Sequence, residues 1–194
     1  MVRCQGVWHR VEVRASGLSV PHDHAELERE RLLAGLGGPV KGCAAVVAAW
    51  RTGTGWLPKA LRAQRSSFFA QVRHGNTNEV LRLLDEGFDP LVHDSQGSSL
   101  LHHLAMVDFK RLLPRLFAAG LEVNGLNVHR RTPLHEAVLH GDLPLVRALL
   151  AAGANPALRD EHGVAAAKVV PHGDTSGALR LKVKRLVAES VRRA

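Results

Sequence analysis

Four residues near the N-terminus carry side chains that zinc sites use. They are Cys4, His22, His24 and Cys43, and thiolate and imidazole are ligands that Zn²⁺ prefers. Structural zinc sites pair these ligands closely, as Cys-x2-Cys followed by His-x3-5-His. The four residues do not follow that arrangement. We therefore predict neither a metal ion nor another cofactor.

The remaining candidates for catalysis lack the partners that their chemistry needs. A nucleophilic Cys4 or Cys43 has no identifiable general base. Gly53–Gly55 lacks the second glycine and the lysine of a phosphate-binding loop. The carboxylate pairs Asp85–Glu86 and Asp160–Glu161 are expected at helix ends and loops that face solvent. The sequence thus predicts a non-catalytic protein, with an enzyme that uses an unrecognised N-terminal site as a third hypothesis.

The composition is that of a soluble globular protein with basic ends. Of 194 residues, 45% are hydrophobic and 23% are charged, and the formal net charge is +8. Residues 1–63 contribute +4, residues 64–163 contribute −1 and residues 164–194 contribute +5. Basic ends favour an anionic partner, either an acidic protein or nucleic acid.

Cysteine usage and hydropathy predict a cytoplasmic protein without a membrane segment. Two cysteines are too few to staple a secreted scaffold. Charged residues interrupt the N-terminus, so no signal-peptide core is present. The longest apolar stretch, Cys43–Trp50, is too short to span a bilayer. Arg outnumbers Lys by 20 to 6 and Tyr is absent, a bias that we expect of a GC-rich bacterial genome.

A repeat of 33 residues runs through the middle of the chain. Gly87, Gly120 and Gly153 each close a segment of the same shape, VLRLLDEG, LPRLFAAG and LVRALLAAG. Further sets agree at the same offset: Val80, Leu113 and Val146; Leu83, Leu116 and Leu149; Leu84, Phe117 and Leu150; Gly75, Asp108 and Gly141; Phe69, His102 and His135. Such a period predicts units that stack, each burying its apolar face only against its neighbours.

The third unit carries the local signals of a helix, a turn and a second helix. Thr132 is a favourable N-cap and Pro133 suits the first helical position. This helix is predicted to end near Gly141. A second helix is predicted from about Pro144 to Ala152, with apolar residues at i and i+4 along one face, and the glycine that follows supplies a left-handed stop.

Residues Thr132–Ala137 read TPLHEA and are followed at once by VLHGDLPLVRALLAAGANPALRD. This segment resembles an ankyrin repeat and matches the T-P-L-H-x-A signature. The unit before it keeps the pattern with Ser99 and Leu100 in place of Thr and Pro, and the first unit keeps the second helix but has lost the signature. The resemblance covers residues 64–170 and departs most at its two edges.

The resemblance implies a mostly α fold, an ankyrin-repeat α-solenoid of helix pairs with projecting finger loops, preceded by a small annex of hairpin and helices. It also implies a protein–protein interaction module, an adaptor or inhibitor, that grips a partner through finger loops and first helices on a concave face. We expect the annex at residues 1–60 and the repeat domain at 61–194, with repeats at about 61–93, 94–126 and 127–159 and a C-terminal cap at 160–194.

Seventeen positions that flank the signature are implied to contact the partner. They are Arg73, His74, His93, Ser95, Gln96, Ser98, Met106, Val107, Leu126, Val128, His129, Arg131, Leu139, His140, Arg159, Glu161 and His162. Their cationic side chains favour a protein with an acidic patch, and a small-molecule substrate is not expected. Five of them are histidines, so either binding strengthens as the pH falls or exposed loops simply tolerate histidine. His102 and His135, at the signature position, are implied to tie neighbouring loops through backbone hydrogen bonds.

The annex does not follow the 33-residue period. Alternation over Val7–Arg14 and the Ala-Ser-Gly that follows predict a short β-hairpin. A capping-box-like start at Asp23 predicts a helix that ends at a Gly-Gly pair, Pro39 opens another that includes Trp50, and Pro58 begins the one that feeds the repeats. The annex is therefore expected to be a cap or a docking module.

The three tryptophans are the most distinctive residues of the annex. Trp8, Trp50 and Trp56 stand among only five phenylalanines and no tyrosine in the whole chain. At this density, filling the core is the expected role of each, and exposed anchoring of a partner is the alternative.

The C-terminal segment predicts a basic amphipathic helix. Its apolar stripe consists of Leu179, Val183, Leu186 and Val187. Its positive charge comes from Arg180, Lys182, Lys184, Arg185, Arg192 and Arg193. One interpretation is an end cap, which needs a polar outer face and whose late charges suit the helix dipole. The alternative is a nucleic-acid-associated factor that uses this helix and the basic N-terminal segment.

Overall fold

The structure of the protein is a computed structural model that describes residues 2–4, 7–9, 12–14, 17–19, 41–57, 59–173 and 177–193. The chain folds into two compact units, residues 1–97 and residues 98–194. Strands occur in the first unit, and helices occur in both.

Two antiparallel hairpins begin the first unit. β1 (Val2–Cys4) pairs with β2 (Val7–His9), and β3 (Glu12–Arg14) pairs with β4 (Gly17–Ser19). The predicted hairpin is thus found in β3 and β4, whereas the alternation over Val7–Arg14 is divided between two strands.

The described residues of the first unit contain three helices: α1 (Lys41–Thr52), α2 (Lys59–Arg73) and α3 (Thr77–Asp85). α1 and α2 confirm the helices predicted around Trp50 and after Pro58, and β1 lies against α1. α2 and α3 form the first helix pair, which turns at Gly75 with a φ of 75° that glycine adopts without strain. The helix predicted from Asp23 lies outside the described residues.

Aromatic side chains join α1 to the first helix pair. Trp50 is completely buried, and its ring centroid lies 5.6 Å from that of Phe88. Phe88 stacks in turn on Phe68 of α2, with centroids 4.2 Å apart. The backbone N–H of His93 donates to the Trp50 carbonyl at 3.0 Å. α1 therefore shares one core with the first helix pair.

The tryptophans of the annex have different roles. Core filling is confirmed for Trp50 but is wrong for Trp56, which is 65% exposed. Trp56 follows Gly53 and Gly55, both with positive φ, in the connection between α1 and α2, so it lies past the end of the helix whose face is buried. The side chain of Trp8 lies outside the described part of the chain.

The second unit is a stack of short helices. It contains a 3₁₀ helix at Leu100–Met106, α4 (Phe109–Ala118), α5 (Pro133–Leu139), α6 (Leu143–Ala151), a short 3₁₀ helix at Ala166–Lys168 and α7 (Ala178–Arg193). The first 3₁₀ helix contacts α4 and α5, α5 contacts α6, and α6 contacts α7. Leu104 of the first 3₁₀ helix, Leu134 of α5 and Leu149 of α6 are fully buried. Stacking of helix pairs is the arrangement that the period predicts.

Helix boundaries in this unit follow the local signals. Thr132 is the N-cap of α5, with Pro133 at its first position. The Asp142 carboxylate accepts the backbone N–H of Leu145 at 3.0 Å and starts α6. Gly153 follows α6 with a φ of 90°. The two helices predicted in the third repeat therefore lie within a residue or two of their expected places.

α7 has the predicted amphipathic form. Val183 and Leu186 are buried, and Leu179 and Val187 are half-buried. Its exposed cationic residues are Arg180, Lys182, Lys184, Arg185 and Arg192. Neither α7 nor any other helix in the described ranges combines the length and the apolar character that a bilayer crossing requires.

Candidate protein-binding surface

Two finger turns in the second unit share one backbone arrangement. In the turn Asn127–Arg131, the side-chain oxygen of Asn127 accepts two backbone N–H groups at 3.0 Å each. In the turn Asp160–Val164, the Asp160 carboxylate accepts two at 3.0 and 2.9 Å. A short side-chain acceptor at the first position holds each turn in a single conformation.

His102 and His135 link each repeat to the loop of the next, as the resemblance implies. Nδ1 of His135 accepts the Thr132 N–H at 3.1 Å, so its Nε2 carries the proton and donates to the Val164 carbonyl at 3.2 Å. His102 makes the equivalent bond to the Arg131 carbonyl at 3.1 Å. Burial lowers the pKa of His135 and keeps its ring neutral. Both imidazoles hold the finger turns in place.

The tips of the two finger turns are also joined to each other. Glu161 donates its backbone N–H to the His129 carbonyl at 3.0 Å. The Glu161 carboxylate lies 2.8 Å from Nδ1 of His129 and 3.7 Å from Nε2 of His162. The Glu161 carboxylate therefore lies near two of the histidines that the sequence assigns to the partner surface, His129 and His162.

Two arginines in or beside these turns interact with nearby groups of the same unit. The Arg131 guanidinium lies 3.7 Å from the Glu136 carboxylate of α5. The Arg159 guanidinium donates to the Gly163 carbonyl at 2.8 Å. Both side chains retain surface exposure, so each presents further N–H donors to a ligand in a fixed direction.

Most of the sequence-predicted contacts in the second unit are accessible. Those that are exposed are Met106, Leu126, Val128, His140, Arg159, Glu161 and His162. Those that are half-buried are Val107, His129, Arg131 and Leu139. Ser98 is a correction, because it is buried and its Oγ accepts the Asn127 side-chain amide at 3.2 Å. Its hydroxyl braces the following turn and does not face a partner.

The predicted contacts in the first unit divide in the same way. Arg73, His74, Ser95 and Gln96 are exposed. His93 is half-buried, with Nδ1 3.0 Å from the Leu91 carbonyl. Burial lowers the pKa of His93 and so favours the neutral ring. We therefore expect His93 to contribute less to anion recognition than the exposed Arg73 does.

The sequence-based set omits Arg130, an exposed cation of the finger turn Asn127–Arg131. Its φ is 55°, in the left-handed region. The 33-residue offset relates it to Gly97 and Gly163, whose φ values are 67° and 73°. This Gly–Arg–Gly series is the signal in the sequence that identifies Arg130.

The zinc candidates Cys4, His22, His24 and Cys43 lie outside the side chains that the structure describes. Among those that it does describe, no three His, Cys, Asp or Glu residues are placed to hold a metal ion. The groups that the finger turns do offer are guanidinium and imidazole donors beside exposed Leu126 and Val128. Such a surface suits a carboxylate-bearing protein segment with some apolar side chains.

Comparison with known proteins agrees with the repeat geometry. A family model for ankyrin repeats, in three copies, matches residues 68–160. Residues 68–160 are ankyrin repeats. The match confirms the resemblance and the α-solenoid fold class that it implies. Ankyrin repeats bind other proteins and are generally non-catalytic.

Relatives of this ankyrin repeat protein match it over part of their length. It is 37% identical over 82 residues to the E3 ubiquitin-protein ligase KEG of Arabidopsis thaliana, covering 42% of this chain and 5% of that protein. It is 33% identical over 92 residues to the palmitoyltransferase Hip14 of Drosophila melanogaster, covering 47% and 14%. It is 31% identical over 111 residues to an ankyrin repeat-containing protein of Treponema pallidum, covering 57% and 37%. The chain thus spans well under two thirds of each relative.

Proposed function

We propose that residues 61–194 form a non-catalytic protein-binding module, an adaptor or inhibitor, whose partner is a protein with an acidic patch. The proposed contacts are the sequence-predicted positions other than Ser98. Ser98 is left out because it is buried. A cytoplasmic setting is part of the proposal, and the presence of only two cysteines in 194 residues supports it.

The finger turns of residues 98–194, which side-chain hydrogen bonds hold in place, support this function most directly. Their backbone is held by Asn127 and Asp160 from within and by His102 and His135 from the preceding repeat. A partner that docks on them does not have to order flexible loops, so less of its binding energy is lost. The exposed cations then supply charge-assisted hydrogen bonds to carboxylates.

Affinity capture from an extract of the source organism tests this function. One protein is expected to co-purify with the wild-type chain. The variant with His129, Arg131 and His140 all changed to Ala should capture at least about tenfold less of it, because a few central contacts carry most of the binding energy. The matched control changes Arg62, Lys110 and Arg147 to Ala, three exposed cations on helices. Equal capture by the wild-type chain and the finger-turn variant contradicts the proposal.

The proposal gives residues 1–60 the role of an N-terminal cap or docking module. Packing of Trp50 on Phe88 and of Phe88 on Phe68 supports a cap. The Arg51 guanidinium also lies 3.8 Å from the buried Asp89 carboxylate of the loop after α3. A terminal layer of this kind covers the apolar face that the first repeat of a stack leaves open.

A second candidate function is association with nucleic acid, and the exposed charge of α7 favours it. Lys182, Lys184 and Arg185 are exposed, while Val183 and Leu186 on the other face of the helix are buried. The apolar face of the helix is thus already covered, and the cations are left for phosphate contacts. The chain has few aromatic residues for stacking on bases, so a duplex backbone fits better than a single strand.

A gel-shift series with duplex DNA at several salt concentrations checks this candidate. Changing Lys182, Lys184 and Arg185 to Glu is expected to abolish the shift, because it replaces three phosphate contacts by repulsive charges. In a plot of log affinity against log salt concentration, each lost phosphate contact makes the slope shallower by about 0.9. Changing Lys110, Arg111 and Arg115 of α4 to Glu alters the net charge equally and is expected to leave most of the shift. If the wild-type chain gives no shift at low salt, this candidate fails.

A further inference from the structure

Three turns of the chain contain the same backbone hydrogen bond, but their fourth residues are not of the same type. The fourth residue of each turn donates its backbone N–H to the carbonyl of the first: Gly97 to Asp94 at 3.1 Å, Arg130 to Asn127 at 2.9 Å, and Gly163 to Asp160 at 3.0 Å. The φ values at the fourth position are 67°, 55° and 73°. The turn thus requires a left-handed residue, and two of its three copies use glycine.

Glycine would occupy position 130 with less strain than arginine does. The left-handed conformation brings Cβ close to the following carbonyl oxygen, and Arg130 is the only non-glycine residue with positive φ in the described part of the chain. At the equivalent Gly163, an added Cβ meets no atom within 4 Å. Arg130 is itself exposed, so its side chain extends into solvent and gains little packing. Strain without compensating contacts is typical of residues kept for function.

Among the described residues the Arg130 guanidinium has no partner, unlike its cationic neighbours. His129 contacts Glu161, and Arg131 contacts Glu136. Within the described ranges, the exposed side chain of Arg130 has neither a hydrogen-bond nor an ion-pair partner. It is the cation at the tip of this finger turn that is most available to an incoming anion.

We infer that Arg130 is a principal contact of the partner surface and that it binds a carboxylate in an acidic segment of a partner protein. The inference rests on the proposed function and adds to it a residue and a partner chemistry. A guanidinium holds a carboxylate through two parallel N–H bonds. Leu126 and Val128 of the same loop are each 46% exposed. They offer apolar contact to a peptide but not to a phosphate backbone, which favours a protein over nucleic acid.

Fluorescence anisotropy with the full chain tests the inference. The probes are a labelled peptide rich in Glu and Leu, the same peptide with Gln in place of Glu, and a short DNA duplex. The variants are Arg130→Gly, Arg130→Lys and the triple change of His129, Arg131 and His140 to Ala. Arg130→Gly is expected to bind the Glu peptide at least about tenfold more weakly. Its melting temperature should not fall and should rise by up to about 4 °C, because strain is released.

Opposite changes in affinity and stability distinguish a binding role from a structural one. Arg130→Lys keeps the charge and the strain but loses the forked geometry, so an intermediate affinity is expected. Unchanged affinity of Arg130→Gly, or a lower melting temperature, overturns the inference.

The remaining outcomes separate this inference from the proposed function. If only the triple variant loses the Glu peptide, the proposed surface stands and the role of Arg130 fails. If the wild-type chain binds the Glu and Gln peptides equally, the acidic-partner part of the proposed function fails with it. Tighter binding of the duplex than of the Glu peptide, lost in Arg130→Gly, assigns this residue to nucleic acid and also overturns the inference.

Discussion

Replacing Trp50 by alanine is expected to lower the free energy of unfolding by about 3–5 kcal/mol, because it removes a fully buried indole and leaves a cavity. The ring contacts Phe88, which in turn stacks on Phe68, so the loss extends from α1 into the first helix pair. Urea denaturation followed by circular dichroism measures the change without relying on tryptophan fluorescence.

The chain supplies its own control for this substitution. Trp56→Ala removes the same side chain at a position that is 65% exposed, and we expect it to change stability by no more than about 0.5 kcal/mol. Trp50→Phe should cost less than Trp50→Ala, because it keeps an aromatic ring in the core and leaves a smaller cavity. Equal destabilisation by Trp50→Ala and Trp56→Ala would contradict the packing of α1.

Replacing His135 by alanine is expected to cost about 2–4 kcal/mol at pH 7. The buried ring accepts the Thr132 N–H through Nδ1 and donates to the Val164 carbonyl through Nε2. Truncation leaves two backbone groups without these bonds and opens a cavity where the side chain is fully buried. The loss affects both the start of α5 and the finger turn that follows.

The same histidine should make the fold sensitive to acid. Burial lowers the pKa of His135 in the folded chain, whereas its unfolded value is about 6.5. Below pH 6.5 the unfolded chain therefore takes up a proton that the folded chain resists, and stability falls as the pH falls. One such group contributes at most about 1.4 kcal/mol per pH unit. Denaturation midpoints between pH 5 and pH 7.5 measure this slope.

His135→Gln isolates the contribution of this ring. A glutamine at this position offers the N-cap an acceptor of the capping-box type but does not titrate. Burial also lowers the pKa of His93 and raises the pKa of the Asp89 carboxyl, so the wild-type slope has several sources. The difference between wild type and His135→Gln is therefore the quantity to compare. Identical slopes for the two proteins would remove His135 as a source of acid sensitivity.

The two histidines of the signature position connect stability to function. Because His102 and His135 hold the backbone of the next finger turn, a variant of either is expected to loosen a proposed contact surface that it does not itself face. Binding losses in His102 or His135 variants are therefore not assigned to direct contact. Changes at the exposed tips, such as Arg130→Gly, are the ones that report on the partner.

Features that depend on neighbours a few residues away were predictable from the sequence. The 33-residue period placed the helix pairs, and Thr132 with Pro133 placed the start of α5. The ankyrin signature, together with its resemblance to known repeats, predicted the role of His135. These signals suffice because caps and apolar faces arise from contacts three or four residues apart.

Burial and pairing between distant residues were decided by the tertiary structure. The sequence does not distinguish Trp50 from Trp56, yet one lies in the core and the other in solvent. It does not show that Ser98 turns inward to Asn127, or that Glu161 engages His129 while Arg130 has no partner among the described residues. The residues in these contacts lie about one repeat apart, and only the stacking of one helix pair on the next brings them together.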